Sequence, residues 1–293
     1  MTTRNNPQQR PRLSAVIPCF NGEDHLPRQL TALTSQPQEY LHEIIVANNR
    51  STDRTSDVIA AFASRDSRVK EVQADRAQGA VFAQNDGVRA STGDFVMLCG
   101  ADDEVLPGWA KGFSDAFMSG SNVVACEILH RREDGTLIKQ ITSLSDNTWP
   151  GLASVGGGQA GFAKSIFDSV NGFDEAFTGA AEDLDLFWRM QLAGHQVVTI
   201  EDAKFNYFAR TDPRSIFRQQ VSYGRGKAQL YAKHRRAGMP RRSYVLAPLM
   251  LGIAAFRILF SAPRSPRRLL AVSTFGYNWG HISGSIMFKC WYF

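Results

Sequence analysis

The sequence lacks the patterns that mark disulfide-stapled, zinc-binding and nucleic-acid-binding proteins. Its four cysteines, Cys19, Cys99, Cys126 and Cys290, are far apart and have no CxxC spacing. Neither a disulfide framework nor a structural zinc site is therefore expected. The six histidines are scattered without metal-ligand spacing. The basic residues form no aromatic-interleaved patch, which argues against nucleic acid as a partner.

An apolar targeting segment is also missing from the start of the chain. Residues 1–11 are polar and contain Pro, Gln and Arg, so we expect a disordered lead-in, no secretory signal and a reducing, cytosolic setting. The rest of the composition is ordinary, with 43% hydrophobic and 21% charged residues in 293. That length permits one large domain, or one domain with an appendage. A formal charge of +5 suits phosphate-bearing substrates or an anionic membrane surface.

Apolar segments of strand length alternate with helix-periodic segments in the first hundred residues. This alternation predicts strands at 13–17, 43–47, 69–72 and 94–99 with helices between them. Such βαβ units form parallel sheets, and right-handed crossovers place the loops at Phe20, Asn48 and Asp102 on one sheet edge. A cleft at that edge is a nucleotide-binding geometry.

The strand at 94–99 ends in Gly100 and Ala101, and three acids follow, Asp102, Asp103 and Glu104. Carboxylates are preferred ligands of Mg²⁺ and Mn²⁺, which they usually bind together with substrate phosphates. The acids therefore indicate a metal site, although a solvated acidic turn explains three acids alone equally well.

The second half adds a predicted hairpin between 122–130 and 137–141 and a glycine run at 156–158. The run is either a close-approach loop or a plain connector. Glu182 and Asp183 begin a predicted helix, whose positive dipole end stabilises anions. Capping is the ordinary alternative for these two acids, and Asp185 caps the helix or supports a neighbouring base.

Four segments in a fixed order, at 15–21, 43–55, 101–109 and 172–186, together resemble family 2 glycosyltransferases over roughly residues 12–235. The resemblance implies a GT-A fold, a mixed and mostly parallel α/β sheet flanked by helices. It also implies inverting transfer of a sugar from a nucleotide-diphosphate donor to a hydroxyl acceptor.

The resemblance also assigns the donor site. Pro18 and Ala101 would belong to the donor site, and Phe20 and Asn21 would line the nucleobase pocket. Asn48 would stand where an Asp commonly contacts uracil. Two further residues, Gly79 and Asn85, would lie along the diphosphate.

For catalysis, the resemblance makes Asp102, after Ala101 and with Asp103 near it, the ligand of a divalent metal. Asp183, beside Glu182, would be the catalytic base. A carboxylate base accelerates attack by the acceptor hydroxyl, and a metal neutralises the leaving diphosphate. A single displacement inverts the anomeric carbon and needs no enzyme nucleophile.

Three positions depart from the family pattern. Asn48 replaces an acid, which puts uridine selectivity in question. Gly100 replaces the first Asp of the metal motif, which weakens the expected Mg²⁺ or Mn²⁺ site. Arg210 follows the place of a metal-binding His, and it either neutralises phosphate through a bidentate contact or is a solvated surface residue.

The expected domains are a catalytic domain at 12–235 and a helical tail at 236–293. The tail has apolar runs flanked by arginines that are too interrupted for a confident spanning helix. It is expected to lie on an anionic bilayer, with a helical cap on the catalytic domain as the alternative. A lipid-linked or envelope-glycan acceptor at the cytoplasmic membrane face would explain the tail.

Two other functions fit parts of the sequence. A nucleotide-sugar-binding or assembly protein without catalysis is the alternative that Gly100 suggests. Nucleotidyl transfer shares the sheet and the metal but normally needs a Gly-rich phosphate loop, and residues 20–23 do not form one.

Overall fold

The computed structural model describes residues 10–141, 144, 148–177, 179–243, 245–263 and 265–292. Residues 1–9 of the predicted disordered lead-in lie outside this part of the chain. The chain divides into two compact units. The first unit comprises Met1–Leu144, Val155–Phe173 and Leu186–Phe208, and the second comprises Ser145–Ser154, Asp174–Asp185 and Ala209–Phe293. The boundary expected at residue 235 stays a prediction.

The first unit is built on one mixed β-sheet. Its strands in the described residues are β1 (Leu13–Cys19), β2 (Glu43–Asn48), β3 (Val69–Gln73), β4 (Phe95–Leu98), β5 (Glu104–Val105), β6 (Val123–Arg131), β7 (Leu137–Ile141), β8 (Ala160–Ala163) and β9 (Val197–Phe208). The order across the sheet is β3-β2-β1-β4-β8-β6-β9-β5, and β7 pairs with β6. Strands β3, β2, β1 and β4 are parallel, and β8 joins β4 antiparallel. The predicted mixed α/β sheet is confirmed.

Helices flank this sheet, and the first three lie between the strands as the sequence pattern predicts. They are α1 (Leu26–Thr34), α2 (Thr55–Ala63), α3 (Ala80–Ala90), α4 (Trp109–Met118), α5 (Lys164–Ser169) and α6 (Glu182–Leu192), the last beginning in a segment of the second unit. The leucines of α1, Leu26, Leu30 and Leu33, are fully buried. The predicted hairpin is also confirmed, because β6 and β7 pair antiparallel.

The register of the parallel strands places their carboxyl ends together. Cys19 of β1 pairs with Asn48 of β2, and Val16 of β1 pairs with Leu98 of β4. The loops that follow β1, β2 and β4 therefore leave the same edge of the sheet, as the βαβ pattern predicts.

A buried carboxylate joins the sheet at the opposite end of β2. Glu43 accepts hydrogen bonds from Ser14 Oγ (2.8 Å), Thr92 Oγ1 (3.0 Å) and Lys70 Nζ (2.8 Å). Burial alone raises the pKa of such a carboxyl, but the hydrogen bonds from Lys70, Thr92 and Ser14 outweigh it and lower the pKa of Glu43 to about 2. Glu43 is therefore ionised, and its hydrogen bonds join three segments of the first unit.

In the described residues, the C-terminal segment of the second unit forms the α-helices α7 (Pro213–His234), α8 (Leu246–Leu259) and α9 (Pro266–Met287). Glycines let α7 and α9 pack closely, because a Cβ on Gly276 would lie 2.9 Å from the Phe217 carbonyl and one on Gly284 would lie 2.8 Å from Arg225 Cα. The predicted helical C-terminal segment is confirmed. Among the described residues, no helix combines the length and apolarity needed to cross a membrane.

Candidate active site

The loops after β1 and β2 hold each other at the carboxyl edge of the first unit. The Asn21 N–H donates to Ser51 Oγ (2.9 Å), and Asn21 Oδ1 accepts from the Thr52 N–H (2.8 Å). Asn21 has a positive φ of 51°, a conformation that Asn tolerates better than most residues. Phe20, which follows Pro18 and the end of β1, is 51% exposed. Of this pair, Asn21 shapes the loop and Phe20 presents an open aromatic face.

Asn48 is buried at the end of β2, and its amide contacts other protein groups. Its Nδ2 donates to Glu71 Oε1 (2.7 Å) and to Ser56 Oγ (3.0 Å), and its Oδ1 accepts from the Ser51 N–H (3.1 Å). An amide suits this place because it can donate to a carboxylate, whereas an Asp would set two like charges side by side. Glu71 thus explains the departure from the family pattern at this position.

The loop before α3 is held by a residue that the sequence analysis did not single out. Asn49 Nδ2 donates to the carbonyls of Ala74 (2.6 Å) and Ala77 (2.8 Å), while its Oδ1 accepts from the Gly79 N–H (2.7 Å). Gly79 has a φ of 145°, which only glycine adopts readily. Asn49 therefore fixes the start of α3, and its position in the polar 48–53 loop was the available signal.

Asn85, expected along the diphosphate, is buried inside the first unit. Its Nδ2 donates to the Phe173 carbonyl (3.0 Å), and its Oδ1 accepts from the Phe173 N–H (3.0 Å). This pair of bonds ties α3 to the turn at Gly172, whose φ is 64°. The described contacts are structural, and the role of Asn85 toward a donor stays a prediction.

The acidic turn after β4 is held by α1. Arg28 Nη2 donates to the Asp102 carbonyl (2.7 Å), and Gln29 bonds the Gly100 carbonyl (3.1 Å) and the Val105 N–H (3.0 Å). Ala101 and Gly100 are partly buried, whereas the Asp102 residue is exposed. The turn therefore presents one carboxylate, that of Asp102, at the sheet edge.

Asp103 is 5% exposed and turns back under this loop. Burial, together with the charge of Asp102, raises the pKa of Asp103 to about 8. A Cβ on Gly100 would lie 2.5 Å from Asp103 Oδ2, so the Asp103 carboxyl fills the space that an acid at position 100 would need. Burial therefore distinguishes Asp103 from the exposed Asp102, and the role of both acids toward a metal stays a prediction.

The side chains of the acidic turn could bind a divalent metal in only one way. Among the described residues no three His, Cys, Asp or Glu side chains come together as a metal cage. Mg²⁺ is nevertheless often held by one or two carboxylates plus substrate phosphates. Asp102 fits that mode as the single protein carboxylate, provided that a diphosphate supplies other oxygens.

The candidate base lies in the second unit. Glu182 and Asp183 open α6 beside a cavity of about 390 Å³, which is lined by residues 179–184 and by Tyr223, Lys227 and Tyr277. Asp183 Oδ1 accepts from the Leu184 N–H (2.7 Å), and Lys227 Nζ donates to Thr148 Oγ1 (2.7 Å). The cavity therefore combines two carboxylates, a cation and two aromatic rings.

Asp185, two residues further along α6, is fully buried in the second unit. Its Oδ1 accepts from Lys233 Nζ (2.7 Å) and contacts His234 Nε2 at 2.8 Å, both residues being at the end of α7. Lys233 also donates to Asp174 Oδ2 (2.6 Å). Asp185 thus anchors the first turn of α6 on α7, which supports the expectation of a supporting role. Nothing in the local sequence identified Lys233 and His234 as its partners.

Arg210 is exposed at the beginning of the C-terminal segment of the second unit. Its side chain is open to solvent, so both alternatives for it, phosphate contact and surface residue, stay predictions.

Comparison with known proteins adds independent information. The profile of Glycosyl transferase family 2 matches residues 14–170, and that of Glycosyl transferase family group 2 matches residues 113–287. The chain is 25% identical over 265 residues to the succinoglycan biosynthesis protein ExoA of Rhizobium meliloti, covering 84% of this chain and 77% of that protein.

Two further similarities concern a shorter segment and the fold. The GalNAc(5)-diNAcBac-PP-undecaprenol beta-1,3-glucosyltransferase of Campylobacter jejuni is 32% identical over 99 residues, which is 33% of this chain and 32% of that enzyme. The mannosyltransferase PcManGT from Pyrobaculum calidifontis, solved in complex with GDP-Man and Mn²⁺, superposes with a TM-score of 0.62 at 17% identity, covering 96% of this chain and 74% of that one. The structural similarity supports the predicted GT-A fold.

Proposed function

The chain belongs to glycosyl transferase family 2. We propose that this glycosyltransferase moves a sugar from a nucleoside-diphosphate donor to an acceptor hydroxyl and inverts the configuration at the anomeric carbon. One observation carries the proposal. The three loops at the carboxyl edge of the parallel strands present an aromatic face, Phe20, and, directly after β4, an exposed carboxylate, Asp102. An aromatic face suits a nucleobase, and a carboxylate suits the metal of a diphosphate.

On the donor side, the residues of the first unit bind and orient. Phe20 stacks on the nucleobase, and the Asn21 and Asn49 bonds keep the surrounding loops in place before the donor arrives. Asp102 would hold Mg²⁺ or Mn²⁺, and such an ion, when bound, neutralises the charge of the leaving diphosphate. Preformed loops reduce the ordering cost of binding.

Asp183 is the proposed base. It takes the proton of the acceptor hydroxyl as the oxygen bonds to the anomeric carbon and the bond to the diphosphate oxygen breaks. Positioned general bases contribute roughly 10²- to 10⁴-fold to such steps. Its support in the structure is its place on the first turn of α6, which Asp185 anchors through Lys233 and His234.

The acceptor is proposed to enter the cavity beside Asp183. Tyr223 and Tyr277 offer flat surfaces for sugar rings, and Lys227 offers a cation for an anionic substituent. The Campylobacter relative is named for an undecaprenol-diphosphate-linked acceptor, which favours a lipid-linked acceptor for this chain as well. The reaction would then take place at the cytoplasmic face of the membrane.

A protein that binds nucleotide sugars without turnover is the second candidate. Gly100 and the buried Asp103, whose pKa is raised by burial, favour it, because they leave Asp102 without the acidic partners of a strong metal site. The two candidates predict the same donor binding and differ in turnover.

A binding and turnover experiment separates them. Thermal shifts would be measured with UDP-glucose, UDP-GlcNAc and GDP-mannose, with and without Mn²⁺, since a ligand of the folded state raises its melting temperature. Asp102→Asn should remove the Mn²⁺-dependent part of the shift, and Asp115→Asn on the exposed face of α4 is the matched control. The donor found in this way should then release nucleoside diphosphate when a lipid-linked acceptor fraction is added. A shift without any release would favour the binding-only protein.

A further inference from the structure

The charge of this chain is divided sharply along its length. Residues 213–293 hold 14 of the 33 Lys and Arg residues and none of the 28 Asp and Glu residues. This segment, which contains α7, α8 and α9, therefore carries a formal charge of +14 in a chain whose total is +5. The remainder is net acidic. A segment without a single acid is an electrostatic match for an anionic surface.

Helix α8 presents an apolar face to solvent within this segment. The outer face of α8 consists of Val245, Leu249, Ile253, Phe256 and Phe260, which recur every three to four residues. Phe256 is 62% and Phe260 75% exposed. On the opposite side of the helix, Ala247 and Ala254 are buried. Helix α8 is thus packed through small residues and leaves its large apolar side chains outward, which is the reverse of an ordinary surface helix.

Arginines border the outer face of α8. Arg257 lies one residue after Phe256 and, on the helical wheel, beside Ile253. Arg267 lies in the first turn of α9, and both are exposed. Long arginine side chains can reach phosphate groups while their stems lie along apolar surface. The face therefore has apolar side chains at its centre and Arg257 at its margin, and the exposed Arg267 follows shortly after it in the sequence.

These features select one occupant. A second copy of this chain would bring two segments of charge +14 together, and like charges oppose that contact. Helix α8 cannot itself span a bilayer, since it has 14 residues and rises about 21 Å, against the roughly 30 Å of a bilayer core. Apolar side chains with flanking cations and no acids match a bilayer surface with anionic lipids.

We infer that the outer face of α8 inserts into the headgroup boundary of an anionic bilayer, where Arg257 and Arg267 contact lipid phosphates. This inference adds a lipid-binding surface to the proposed location at the membrane. It rests on the proposed function only in the identity of the membrane that the chain would bind. It requires no turnover, so it can fail while the transferase proposal holds, and the reverse is also true.

Co-sedimentation of the full-length chain with vesicles tests this surface. The vesicles would contain phosphatidylcholine alone or with about 30% phosphatidylglycerol, a mixture that supplies the anionic surface. The apolar variant is Leu249→Ser with Phe256→Ser, and its control is Leu137→Ser with Ile138→Ser, a pair about half exposed on β7. The charge variant is Arg257→Gln with Arg267→Gln, and its control is Arg65→Gln with Arg132→Gln, both exposed in the first unit. Circular dichroism verifies that every variant is folded.

The wild type should bind the anionic vesicles at least tenfold more tightly than the neutral ones, and less tightly as salt is raised. The apolar and charge variants should each lose at least tenfold in partition coefficient, and both controls should stay within twofold of the wild type. Equal binding by all four variants would overturn the inference. So would self-association in light scattering that the apolar variant abolishes, since the occupant would then be a second copy.

Discussion

The packing of Gly100 against Asp103 gives a prediction whose size follows from one distance. A methyl group at position 100 would lie 2.5 Å from Asp103 Oδ2, well inside the usual contact distance. Overpacking of this kind costs about 1–3 kcal/mol. Gly100 has no positive φ, so Gly100→Ala adds no backbone strain and isolates the steric effect.

A double-mutant cycle with Asp103→Ala measures the steric cost of a methyl group at position 100. In the wild-type background Gly100→Ala should lower the melting temperature by roughly 2–12 °C, at about 2–4 °C per kcal/mol for a unit of this size. In the Asp103→Ala background the same change should cost less than about 0.5 kcal/mol. Any entropic gain from replacing glycine is common to both backgrounds and cancels.

The assay is thermal unfolding followed by calorimetry or intrinsic fluorescence. An equal cost of Gly100→Ala in the two backgrounds would refute the reasoning, because the Asp103 carboxyl would then not occupy the space beside position 100. The same result would remove the steric reason for the missing acid of the metal motif.

Three further predictions concern the hydrogen bonds and ion pairs of buried polar side chains. Glu43→Gln should remove about 3 kcal/mol of stability at pH 7, since the pKa of Glu43 is about 2 in the folded chain against 4.5 unfolded. That stability is present above pH 4.5 and is lost as the pH falls toward 2, so urea titrations of the wild type and Glu43→Gln should converge in acid. Asn85→Ala leaves the Phe173 N–H and carbonyl unpaired and should cost about 1–3 kcal/mol of stability, measured by urea unfolding. Asn85→Asp should lose less stability, because an Asp oxygen can still accept from the Phe173 N–H. Lys233→Met removes a cation from the buried Asp185 and should destabilise the second unit by up to about 3–5 kcal/mol. Lys289→Met, an exposed control, should change the unfolding midpoint little.

The parts of the fold that depend on local pattern were predictable from the sequence. Strands β1 and β2 contain the apolar runs 15–17 and 44–47, and in this setting such runs form buried parallel strands. Leu26, Leu30 and Leu33 recur at helical spacing, and all three are buried as that spacing predicts. The common edge for the loops after β1, β2 and β4 followed from the handedness of βαβ crossovers.

The parts that depend on distant partners were not predictable. Asn48 was identified as a departure from an acid, but its reason, Glu71, lies 23 residues away on β3. Asp185 pairs with His234, which is 49 residues further along the chain. Three consecutive acids carry no signal that burial separates Asp103 from Asp102. Periodicity describes one element at a time, whereas these contacts join elements whose pairing only the folded chain determines.

The assignment of Asp183 as the base is tested most directly by the rate of sugar transfer in Asp183→Asn. This change keeps the oxygen that accepts the Leu184 N–H and removes only the ability to take a proton. The predicted result is a roughly 10²- to 10⁴-fold loss of kcat with donor affinity within twofold of the wild type, while Asp115→Asn transfers normally. Turnover of Asp183→Asn within twofold of the wild type would contradict the assignment.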